Sequence, residues 1–252
     1  MSVTSATATA LFPYFLYTDP GCSVLSLTAS VRLRRAIHLN DASLARRILR
    51  NNPHLLHNPD PESSDSNLHL AARLGFLPVC EVLVAAGHEH PSPALNADNQ
   101  TALMLAAAAG HTDVVHFLAN YSPSSILRRD CEGRDAVMQA SIGGHDTVLQ
   151  ILLTYAPGGP ASAVQNVDCD GNTALHFASS NGNLPVMRTL LAAGADPRKT
   201  NMECWTALEY SATLQTQRYL SGLVTDVEKK KKSARRDGEG SKGMSLRFMG
   251  GS

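Results

Sequence analysis

Aromatic residues make up only 5% of the 252-residue chain, and Trp205 is its single tryptophan. That is low for an enzyme core and suits thin helical layers filled by Ala and Leu. An excess of charge of either sign is also missing. Lys and Arg total 22 and so do Asp and Glu, so no global field selects nucleic acid or acidic substrates. No apolar run approaches the ~20 residues of a membrane span. The five cysteines (Cys22, Cys80, Cys131, Cys169 and Cys204) form no C-x-x-C, and no His pair has zinc spacing; a reducing compartment is expected. Catalytic signatures are absent as well. There is no G-x-S-x-G and no H-E-x-x-H, and the Gly-rich residues 238–243 lack the GK[ST] ending of a phosphate loop. No catalytic, cofactor-binding or metal-binding residue is therefore expected, and the chain reads as a non-enzyme.

What the sequence does contain is a repeated unit. Its cleanest copy is Thr173-Ala174-Leu175-His176-Phe177-Ala178, with Gly182 four residues on. Aligned on the Thr position, copies fall at Val31, Ser66, Thr101, Asp135, Thr173 and Thr206, separated by 35, 35, 34, 38 and 33 residues. Small residues follow five later at Ala36, Ala71, Ala106, Ala140, Ala178 and Ser211, and glycines at Gly75, Gly110, Gly144 and Gly182. A period near 33 with this signature is that of the ankyrin repeat, a β-turn followed by two short antiparallel helices. The expected fold is all-α, an ankyrin-repeat solenoid of about six helix-turn-helix units with short β-turns between them.

The organisation follows. Residues 1–29 show no repeat register and read as a disordered arm. Residues 30–228 form the repeat domain, with units starting near 30, 66, 96, 130, 168 and 201. Residues 229–252, a basic run and then Gly- and Ser-rich sequence, read as a disordered tail. In unit 1, Arg32, Arg34, Arg35, Arg46, Arg47 and Arg50 take the outer positions of a terminal repeat. Residues 157–160, Pro-Gly-Gly-Pro, read as a protruding loop where the spacing lengthens to 38. Unit 6 keeps Thr206 but replaces the signature His by Glu209 and loses the Gly, as befits a cap.

Each residue type has a physical reason at its place. Ser, Thr or Asp opening a helix accepts an orphan backbone N–H, worth ~1 kcal/mol. His69 and His176 are placed to bridge backbone groups of adjacent turns. The glycines end first helices in a left-handed conformation. Cys131 and Cys169 stand one helix layer apart, roughly 8–10 Å, beyond the ~7 Å Cα limit of a disulfide. Residues that packing explains least are Arg73, Leu74, Gln100, Glu132, Arg134, Ile142, Asp170, Asn172, Asn181, Glu203 and Trp205. They are the candidate partner-binding residues, on the face made by turn tips and the outward sides of the first helices.

The two ends are more particular than the middle. The stretches SVRLRRAI from Ser30 and RRILRNNPHLL from Arg46, together with Trp205 and the last repeat running into the lysines, resemble the fungal ankyrin-repeat accessory subunits of target of rapamycin complex 2. The chain departs from that pattern in its 29 leading residues and in lacking the long Ser-rich tail. The resemblance implies a non-catalytic scaffold whose partners are subunits of a TOR kinase complex, cytoplasmic and peripheral to the inner face of the plasma membrane. Lys229, Lys230, Lys231, Lys232, Arg235 and Arg236 offer weak contact with an anionic membrane surface. The alternative is a generic adaptor with another protein partner, such as a nuclear regulator imported through that basic run.

Overall fold

The computed structural model describes residues 24–61, 63–227 and 229. Its helices fall into pairs. The first helices are α1 (Val24–His38), α3 (Asn67–Leu74), α5 (Ala102–Ala109), α7 (Ala136–Gly143) and α10 (Ala174–Ser180). The second helices are α2 (Ala42–Asn51), α4 (Leu77–Ala85), α6 (Thr112–Tyr121), α8 (Asp146–Tyr155) and α11 (Leu184–Ala193). A short helical turn, α9 (Pro160–Ala163), separates α8 from α10, and α12 covers residues 214–227. First helices pack on neighbouring first helices and second on second. The result is two layers joined pair by pair, with no β-strand among the described residues beyond the isolated Thr200–Thr206 bridge.

The local causes are plain in units 2, 3 and 4. Ser66, Thr101 and Asp135 cap their helices by accepting the N–H of His69, Met104 and Met138. Gly75, Gly110 and Gly144 end the same helices at φ of 77°, 82° and 76°, where a side chain costs energy. A second constraint acts on these three glycines. A Cβ on Gly75 would lie 2.5 Å from the His111 ring, one on Gly110 2.5 Å from His145, and one on Gly144 2.8 Å from Asn183. The residue after the glycine of one unit thus occupies the space left by the glycine of the unit before. From there His111 donates to the Arg73 carbonyl, His145 to that of Ala108 and Asn183 to that of Ser141. The core between helices is equally regular: Ala36, Ala71, Ala106, Ala140 and Ala178 are fully buried.

Several expectations require correction. The first helix is already formed at Val24, so ordered structure crosses the boundary expected at residue 30. Arg34 is not a free surface cation. It pairs with Asp60 at 2.8 Å and reaches the carbonyls of Asn58 and Asp65. The Pro-Gly-Gly-Pro segment does not simply protrude. After Gly158 and Gly159, both at positive φ, the chain turns into α9 and buries Ala163 and Val164.

Unit 6 departs furthest from six equal helix pairs. Thr206 begins only a turn, and α12 starts at residue 214, one residue before the slot where other units place their glycine. Without a glycine at Gln215, nothing breaks the helix there, and Thr213 caps it instead by accepting the Thr216 N–H at 3.1 Å. Glu209 takes over half of the histidine's role, accepting from the Thr206 N–H and hydroxyl at 2.8 and 2.9 Å. In the basic run only Lys229 is described, exposed and 3.8 Å from Asp226. Lys230, Lys231, Lys232, Arg235 and Arg236 lie outside the described residues, as do residues 1–23.

Ala178 tests the register. Its side chain is wholly buried between helices, and an unpaired charge there costs several kcal/mol. Ala178→Asp is expected to lose helical circular dichroism on heating before the wild type does, with loss centred on units 4 to 6. Thermal unfolding equal to the wild type would contradict this packing.

Candidate functional site

The four turns that open units 3 to 6 are built alike. In each, one side-chain oxygen accepts two backbone N–H groups: Asn96 from Asp98 and Gln100, Asp130 from Glu132 and Arg134, Asp168 from Asp170 and Asn172, and Asn201 from Glu203 and Trp205. This is the bend that Asp and Asn favour through their own side chains. Adjacent turns are then joined by one backbone bond each. Ala97 donates to Ser63 at 3.2 Å, while Cys131 to Asp98, Cys169 to Glu132 and Met202 to Asp170 are each 2.9 Å. The tips form a continuous ladder whose backbone has no freedom to spare.

Two histidines clamp first helices to this ladder. The Ser66 N–H can only donate, so Nδ1 of His69 is the acceptor and the ring proton sits on Nε2. Nε2 gives that proton to the Gln100 carbonyl of the following turn at 2.8 Å. His176 repeats the arrangement between the Thr173 N–H and the Trp205 carbonyl, the latter at 3.1 Å. Burial holds both imidazoles below their ordinary pKa, against the pull of the accepting carbonyls. Glu209 of unit 6 accepts in the same way but as a carboxylate has no proton to hand on, and among the described residues no further turn follows.

The eleven sequence-selected residues separate on this frame. Glu132, Asp170, Glu203 and Trp205 are exposed along the tips, and Trp205 keeps 48% of its surface free. Asp98, which sequence reasoning missed, holds the same place as Glu132, Asp170 and Glu203, three residues before the Thr position. An exposed acid therefore stands on each of these four turns. Glu132 is ion-paired, to Arg134 at 2.6 Å. Gln100 is half-buried, its side-chain oxygen accepting from Asn96.

The others make contacts within the molecule, although Arg73 and Asn181 remain exposed. Asn172 is buried, donating to Asp168 and accepting from Asn201 across the unit boundary, so it cross-links the two turns. Arg73 pairs with buried Asp65 at 2.9 Å, and Arg134 with Asp130 at 3.4 Å. Leu74 packs against the core. Ile142 is half-buried, and its carbonyl accepts from the Asn181 amide. Spacing alone did not reveal the bonds between units, because Asn172 and Asn201 stand 29 positions apart and Asn181 and Ile142 39.

Metal chemistry finds no frame here. Among the described residues no group of three or more His, Cys, Asp or Glu could hold an ion. Cys80, Cys131, Cys169 and Cys204 are free thiols, with burial pushing that of Cys80 up to about 12. Among the described residues no helix is long and apolar enough to cross a membrane.

This architecture is matched by the family model described as ankyrin repeats (3 copies), over residues 33–128, 122–201 and 161–231. The chain belongs to the ankyrin-repeat family, whose stacked surfaces serve protein–protein interaction. A crystal structure titled EF0377, an ankyrin repeat protein, superposes with a TM-score of 0.65 at 18% identity, covering 77% of this chain and 96% of that one. Among characterised proteins, the chain is 29% identical over 204 residues to target of rapamycin complex 2 subunit AVO2 of Saccharomyces cerevisiae. The match covers 80% of this chain and 47% of AVO2, so the chain spans about half the length of that relative.

The clamping histidines give a pH dependence. Their pKa is depressed in the folded state, so below the ordinary value of 6.5 the unfolded chain takes up protons that the folded chain does not. Stability is therefore full above about pH 6.5 and falls as pH drops below it. The melting temperature is expected to be lower at pH 5.5 than at pH 7.5, with a smaller difference in the double variant His69→Gln, His176→Gln. An unchanged difference in the variant would assign the acid sensitivity elsewhere.

Proposed function

We propose that this chain is a non-catalytic scaffold subunit of target of rapamycin complex 2. In this reading its turn tips and first helices hold another subunit of that kinase assembly. The carrying observation is the division of labour along the tips. The backbone is fixed by the turn ladder, whereas Asp98, Asp170, Glu203 and Trp205 present side chains outside the helix packing. The likeness to AVO2 supports the choice of complex. Trp205 is the natural anchor. Its N–H and carbonyl are tied to Asn201 and His176, its ring leans edge-on against Tyr210, and tryptophan is enriched among interface hot spots.

Affinity purification of the tagged chain with mass spectrometry is expected to recover TOR kinase and its companions; their absence would favour an adaptor of another assembly. Trp205→Ala with Asp170→Lys is expected to lower that recovery about tenfold or more, with circular dichroism unchanged. Undiminished recovery would move the interface off the tips.

The same reading includes a location at the inner face of the plasma membrane. The six cations Lys229, Lys230, Lys231, Lys232, Arg235 and Arg236 contribute ~1 kcal/mol each near an anionic leaflet, enough for weak, salt-sensitive contact. Sedimentation with phosphatidylserine vesicles is expected to fall with rising salt and to be lost when all six are changed to Gln. Equal sedimentation of both proteins would remove the membrane from the account.

A further inference from the structure

On the other layer, between α2 and α4, lies a recess of about 310 Å³. It is floored by Leu49 and Val82, walled by Ala85 and Ala86, and rimmed by Arg46 and Arg50. The repeat register explains why it is open. Twenty residues after the Thr position stand Ala86 in unit 2, Tyr121 in unit 3 and Tyr155 in unit 4. Tyr155 turns back over the preceding unit, where its hydroxyl meets Nε2 of His116 at 3.0 Å and the two rings pack edge-to-face. His116 stands fifteen residues after its own Thr position, and in unit 1 that place is Arg46. Ala86 therefore faces Arg46 as Tyr155 faces His116, but without a ring to fill the gap. In unit 5 the position is Ala193, and there α9 crosses beside it: a Cβ on Gly194 would touch Ala161. Between units 1 and 2, no described residue supplies such a filler.

The rim fixes the chemistry of what fits. Arg46 and Arg50 are four apart, on one face of α2, and neither has an ion-pair partner among the described residues. Arg32, Arg35 and Arg47 are exposed in the same unit, against which Asp41 is the one described acid from residue 24 to 58. We infer that this recess docks a segment of a partner protein in which one aromatic side chain is flanked by acidic residues. The ring takes the place that tyrosine holds in unit 4, and the carboxylates pair with Arg46 and Arg50. A recess at the low end of ligand-pocket size (~300–1,000 Å³) accepts one side chain, which a flat bilayer surface does not offer. A second copy inserting Trp205 from the opposite end of its array would make a head-to-tail contact that assembles into rings or open filaments; the occupant proposed is a separate protein. This surface is distinct from the turn tips and stands or falls independently of them.

The test uses the full chain and a fluorescein-labelled ten-residue peptide, with a central phenylalanine, two glutamates on each side and otherwise Gly and Ser. Fluorescence anisotropy is expected to show saturable binding, weakened about tenfold or more by Ala86→Tyr. That variant fills the recess with the residue units 3 and 4 already carry, and its melting temperature checks the fold. Arg46→Glu with Arg50→Glu is expected to weaken binding as much, and peptides with Ser for Phe or Lys for Glu are expected to bind far less. Absence of binding, equal binding of the lysine peptide, or full binding by folded Ala86→Tyr would each overturn the inference. So would a self-association, or a binding to phosphatidylserine vesicles, that Ala86→Tyr abolishes, since the recess would then belong to a second copy or a lipid.

Discussion

One backbone hydrogen bond per interface sets the register of the array. The N–H groups of Cys131, Cys169 and Met202 each reach the preceding turn at 2.9 Å, and a slip of one residue would break the bond and misplace everything attached to it. The Asn or Asp that shapes each turn depends on it, as do the first helix rising from the turn and the alanine that lets this helix touch its neighbour. Units coupled in this way draw their stability from adjacent units and not from a common centre. That is why the core runs as a continuous strip of small and aliphatic residues with so few rings.

The sequence makes the repeating part of this structure legible. Period, capping residues, glycine turns and the bridging role of His69 and His176 all follow from identity at a fixed place, because each answers a local backbone need. What it hides is whatever depends on a neighbour. Asn172 looks like a free polar residue in a turn until Asn201 of the next unit is placed against it. Unit 6 forms only a turn after Thr206 where the others form a first helix, yet the Thr206 signature reads as intact. Pro157 to Pro160 carries every mark of a loop, and only the buried Ala163 and Val164 beyond it show that the segment packs back.

The division between backbone and surface bears on function. A turn whose N–H groups are all held inside the molecule presents its side chains without the cost of ordering its backbone on binding. The ends of the array add what the middle lacks. At the turn of unit 6, Met202 and Trp205 are 76% and 48% exposed. Unit 1 gathers arginines around a recess that elsewhere a tyrosine closes. The two surfaces lie on different layers of the array.

Amide hydrogen exchange at the turns measures the central claim, that the tips are a rigid ladder coupled to the helices. If so, the N–H groups of Cys131, Cys169 and Met202 exchange only through the opening that releases the neighbouring first helices, with protection close to that of Ala106, Ala140 and Ala178. Exchange of the three turn amides at the rate of an exposed loop, while the helices remain protected, would contradict the account.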